Sequence, residues 1–132
     1  MLKKTMTYVD FNGTERTEDF YFNLSKAELM ELELTTEGGL LERLQKIVDA
    51  KDAPEIVKQF KKIILMAYGK KSDDGKRFEK SEKLSEEFAQ TQAYSDLFIL
   101  LATNAEEAAK FVNAIVPQDS QLSPDQIADL QK

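Results

Sequence analysis

The chain has 132 residues, 42% hydrophobic and 32% charged, with a net charge of −6; that fits one globular domain and argues against wholesale disorder. It contains neither Cys nor His, which excludes disulfides, thiolate nucleophiles, zinc-thiolate sites and imidazole bases, and leaves only carboxylate, Lys or Tyr chemistry. No apolar run approaches the ~18 residues of a membrane span, and MLKKTMTYVD has no apolar stretch behind its lysines to make a secretory signal, so the expectation is a soluble cytoplasmic protein.

Charge is segregated along the chain. Residues 1–57 hold 7 Lys/Arg against 12 Asp/Glu, residues 58–83 hold 9 against 4, and residues 84–132 hold 2 against 8. An acidic molecule with a basic middle lacks the broad positive field that nucleic acid requires. It better suits an acidic protein surface or the acidic end of a second copy.

The first element expected is a β-hairpin over about residues 3–22. KKTMTYV and TERTEDFYF are rich in Thr, Tyr, Val and Phe, and Asn12-Gly13 supplies a tight turn. Phe20, Tyr21 and Phe22 are consecutive and place aromatics on both faces. Either one face packs on helices while the other meets a partner or a further strand, or the sheet end is wrapped into the core. A lone hairpin is marginal in water and must lean on something.

Ser25 and Glu28 form a capping box, with Leu24 and Leu29 as a hydrophobic staple, opening a helix to about residue 34. Gly38-Gly39 ends it. Leu40, Leu41, Leu44, Ile47 and Val48 then share one stripe of a second helix; the glycine pair is too short for a phosphate loop. Asp52, Pro54 and Glu55 start a third helix over about residues 53–68 that buries Ile56, Val57, Phe60, Ile63, Ile64 and Ala67 and leaves Lys58, Lys61 and Lys62 off that face.

Residues 70–80 read as a charged loop turning at Asp74-Gly75. Asp73 and Asp74 lack the ligand spacing of a calcium loop. Phe78, the one aromatic there, is either a plug returning to the core or an exposed anchor. Ser81 or Ser85 begins the next helix, followed by one bent helix or two helices broken near Thr91. Residues 97–101 are apolar all round, implying burial on several sides in the core or a subunit contact. Asn104 caps a further helix that must stop by Pro117. Residues 118–121 form a polar hinge before a short C-terminal helix.

The fold class expected is therefore mainly α with a small N-terminal β-hairpin (α+β), a compact bundle of about five to six helices. Residues 1–117 form one domain and residues 118–132 a hinge and short helix. No catalytic constellation emerges. Glu86-Glu87 and Glu106-Glu107 are neighbours that point about 100° apart on a helix, and the serines lack a His partner. No cofactor or metal is expected.

The segments EDFYFNLSKAELMELELTTEGGLLERLQKIVDAKD and FKKIILMAYGKKSDDGKRFEKSEKLSEEFAQTQAYSDLFILLATNAEEAAKFVNAIVP together resemble the tail assembly chaperones of long-tailed, siphovirus-type bacteriophages of Gram-positive hosts. AYG, DGKRF and AYSDLF are the most family-like points. Proteins of this family are encoded between the major tail protein and the tape measure protein. The resemblance implies a non-enzymatic, self-associating helical protein of the host cytoplasm that binds the tape measure protein, keeps it soluble while tube subunits polymerise around it, and is absent from the mature virion. The major tail tube protein is a further candidate partner; no nucleic acid or membrane is implied. Candidate interaction residues are Phe20, Tyr21, Phe22, Phe78, Tyr94 and Phe98, each of which also has a core reading. The competing expectation is a structural virion subunit or head–tail connector.

Overall fold

A computed structural model describes residues 1–35, 38, 39, 42, 43, 46, 49, 50 and 53–117. The apolar stripe expected for a second helix, the Asp52 cap, and the hinge and helix expected over residues 118–132 lie outside the described residues.

The described chain is α+β. Strands β1 (Leu2–Val9) and β2 (Glu15–Phe22) form the expected hairpin, and helix α1 (Lys26–Thr35) follows. Helix α2 (Ala53–Ala67) leads into strands β3 (Tyr68–Lys71) and β4 (Phe78–Glu79), and helices α3 (Glu82–Ala89), α4 (Gln92–Thr103) and α5 (Ala105–Ile115) complete the order. All four strands form one antiparallel sheet in the order β1-β2-β3-β4. The expected helical bundle with a small hairpin thus needs correction, because the hairpin is half of a sheet and the charged loop of residues 70–80 is a second hairpin. Tyr68, assigned by sequence to the third helix, starts β3. Period-2 patterning could not reveal this hairpin: Lys70 and Lys71 face solvent, β3 is held by pairing Tyr21 to Gly69 and Phe22 to Tyr68, and β4 by pairing Lys70 to Glu79 and Lys71 to Phe78.

Local caps decide where the helices begin. Ser25 Oγ accepts from the Glu28 amide at 3.1 Å while Glu28 Oε1 accepts from the Ser25 amide at 3.0 Å, and Leu24 and Leu29 are both buried beside this box. Ser81 and Asn104 cap α3 and α5. The chain breaks at Gln90 and Thr91 into two helices, with Thr91 Oγ1 accepting from the Tyr94 amide and donating to the Phe88 carbonyl. The bridging residues between β2 and α1 tie these layers together: Asn23 donates its amide to the Ala67 carbonyl and Leu24 to that of Ile115, at 2.8 and 2.9 Å.

The core lies between one face of the sheet and helices α2 to α5, with Phe22, Phe60, Ile64, Leu97 and Ile115 fully buried. Helices α4 and α5 pack against β1, and α3 against β3. Val57, expected in the core, is 43% exposed. Leu97 and Leu101 are buried, while Ile99, on the other side of the same apolar run, is 56% exposed.

Candidate protein-interaction site

Pairing of Leu2 with Phe22, Lys4 with Phe20 and Lys3 with Tyr21 sorts the three consecutive aromatics. Because side chains alternate across a strand, Phe20 and Phe22 face the helices and Tyr21 faces the other way. Phe22 is wholly inaccessible, whereas Phe20 and Tyr21 are half-buried.

Phe88 of α3 is the hub around which most of the expected interaction residues gather. Its ring stacks on Tyr68 at 4.2 Å and 6°, and lies 5.4 Å from Phe20, 5.7 Å from Phe22 and 5.7 Å from Tyr94. Phe22 also meets Phe111 edge-on at 5.3 Å. Tyr8 touches Phe20 at one end and Tyr94 touches Phe98 at the other, so Tyr8, Phe20, Phe88, Tyr94 and Phe98 form a continuous aromatic row. Its ends are half-buried and its middle is sealed. Offset and edge contacts of this kind contribute about 0.5–1.5 kcal/mol each beyond area burial. Burial raises the Tyr94 and Tyr68 phenols above their ordinary range, with the Glu87 and Glu18 carboxylates adding to the effect at Tyr68.

Tyr21 and Phe78 stay outside this row. Phe78 is half-buried in β4, where its ring covers Gly69 so closely that a Cβ there would come within 2.8 Å. The Lys80 ammonium lies 5.7 Å from its ring centre. Of the six expected residues, the fold therefore brings Phe20, Phe22, Tyr94 and Phe98 together through Phe88, a residue outside the expected six.

Two further surfaces were missed. Residues 11–19 are all exposed, so the far end of the first hairpin projects as an arm. It is stapled by Thr5 to Asp19 at 2.6 Å, Thr7 to Thr17 at 2.9 Å, Tyr8 to Glu18, and Arg16 to Asp10 at 2.5 Å. At its tip Asp10 Oδ1 accepts from the amides of Asn12 and Thr14, and Gly13 takes φ +78°. This organised turn leaves Phe11 76% exposed. The signal was legible, since a residue beside the turning Asn12-Gly13 pair has no sheet face to pack on. The second surface is an open cleft of about 750 Å³ between α2 and α3, floored by Leu65, Met66 and Ala89 and edged by Lys61 and Lys62. Ser85 Oγ donates to the Leu65 carbonyl beneath it.

Asp74, weighed as a calcium ligand, has its carboxylate engaged by Ser72 Oγ and the Lys76 amide in a turn. Among the described residues no group of three or more Asp or Glu is placed to hold a metal, and no helix is long and apolar enough to cross a membrane.

The geometry is that of a small α+β scaffold with partly open apolar surface, a class that includes assembly factors and other binding proteins. A family model described as phage tail assembly chaperone matches residues 1–128, and the chain belongs to that family. No curated protein and no solved structure matches it.

Proposed function

We propose that this chain is a non-enzymatic chaperone that self-associates and holds the tape measure protein soluble in the host cytoplasm, in a long-tailed phage of a Gram-positive host, until the tail tube assembles around it. Membership of the tail assembly chaperone family carries this reading. The half-buried ends of the aromatic row add to it, because Phe20, Tyr94 and Phe98 offer apolar surface packed on the buried Phe88, while the acidic remainder of the molecule keeps such surface soluble. The major tube protein is a further partner in this scheme, and the chaperone leaves before the virion is complete.

Co-expression tests the proposal. The tape measure protein is expected in the soluble fraction only with this chain present, and equal solubility without it would overturn the chaperone role. Recovery of the chain at fixed copy number in purified particles would instead mark a structural subunit.

A further inference from the structure

We infer that copies of this chain join head to tail, with the hairpin tip of one copy seated in the α2–α3 cleft of the next. The inference rests on the self-association part of the proposed function and names the two surfaces that would meet.

The two surfaces are complementary, and among the described residues none of the first hairpin lines the cleft of its own molecule. The tip presents Phe11 and Val9, 76% and 54% exposed, on an arm already ordered by the Asp10 turn, so little conformational freedom remains to be lost on docking. The cleft offers an apolar floor of Leu65, Met66 and Ala89 and room for an aromatic ring. Charge sets the orientation. Residues 9–19 carry four carboxylates and one guanidinium, while the α2 rim carries Lys61 and Lys62, both exposed and without an ion pair among the described residues. The α3 rim bears Glu82 and Glu86, which turns the arm's acidic side toward α2. Within one copy the arm leads beyond the paired part of the sheet: β3 pairs with β2 only at Tyr21 and Phe22, and six residue steps from Tyr21 to Glu15 carry the strand about 20 Å past that point.

A contact between two different patches is heterologous and generates rings or open chains rather than a closed two-fold dimer. Light-scattering mass measurements over a concentration series test this with wild type, Phe11→Ala and the Lys61→Glu/Lys62→Glu pair, each verified as folded by its thermal melt. Wild type is expected to associate, less so in high salt, and each variant to require at least about tenfold more protein for the same association. Phe11→Ala keeps an intact cleft and Lys61→Glu/Lys62→Glu an intact tip, so mixing them should give a heterodimer that grows no further.

Wild type that stays monomeric throughout would overturn both self-association and this contact. Wild type that associates, with both variants unchanged, would remove this contact alone. Unchanged mass together with loss of tape measure solubility in the cleft variant would assign the cleft to the client and overturn the contact between copies.

Discussion

Lys80 Nζ lies 2.7 Å from Glu28 Oε2, joining the end of the second hairpin to the first turn of α1 across 52 residues of chain. The same ammonium donates to the Asn23 carbonyl at 2.6 Å, and Glu28 also closes the capping box through the Ser25 amide. One carboxylate thus serves a local cap and a long-range tie. Lys80→Met should lower unfolding free energy by about 1 kcal/mol, because the pair is partly solvated. Glu28→Gln should cost a similar amount, and the double variant less than the sum, since both act on one network. Urea unfolding of the three variants measures this.

Stability should fall off on both sides of a neutral plateau. Burial opposes the Glu28 carboxylate, but the Lys80 hydrogen bond and the Ser25 amide outweigh it and hold its pKa below the ordinary 4.5. Asp10 beside Arg16, Asp19 beside Thr5 and Asp74 beside Ser72 are likewise held below 3.8. Groups depressed by folding contribute stability above their unfolded pKa and lose it as pH falls through the folded value. The Tyr68 and Tyr94 phenols are raised by burial above 10.0, and Tyr8 is raised first by its bond to Glu18; their contribution is complete below pH 10 and lost as pH climbs through the raised values. Thermal midpoints should hold between about pH 5 and pH 10. Glu28→Gln should flatten the acid limb and Tyr68→Phe the alkaline one.

Gly69 should not tolerate a side chain. A Cβ there would lie 2.6 Å from the Glu79 carbonyl oxygen and 2.8 Å from the Phe78 ring, so Gly69→Ala must push β4 away from β3. A loss of about 1–3 kcal/mol is expected, with faster hydrogen exchange at the Arg77 amide, which donates to Ser72 Oγ at 3.0 Å, and at the Ser72 amide, which donates to the Arg77 carbonyl at 2.9 Å. Adding Phe78→Ala should relieve only the clash with the ring, leaving the backbone contact.

The aromatic row separates stability from client binding. Phe88→Ala removes its sealed hub and should cost about 3–5 kcal/mol in thermal or urea unfolding. Phe98→Ser, at the half-buried end, should cost much less. If the row's open end holds the client, Phe98→Ser should reduce tape measure solubility in co-expression while its melt remains close to wild type.

Much of the fold was legible because it is encoded over three or four residues. The Ser25–Glu28 box, the Ser81 and Asn104 caps and the break near Thr91 each join a side chain to an amide close by, and Asn12-Gly13 turns the first hairpin where expected. The candidate site was legible only in part. Phe20, Tyr94 and Phe98 were recognised as large apolar residues, and the Asn12-Gly13 turn beside Phe11 marks that residue as lacking a sheet face, but nothing local says that Phe88 links the aromatic row.

What the sequence by itself determined, then, is the short-range set: helix starts, the first turn, the absence of thiol and imidazole chemistry, and the segment order that marks the family. Tertiary structure alone decided that a charged connector becomes β3 and β4, that Phe22 is sealed while Tyr21 faces outward, and that Lys80 reaches Glu28. Those outcomes depend on strand register and on which surfaces meet, and the energies that select them come from residues far apart in the chain.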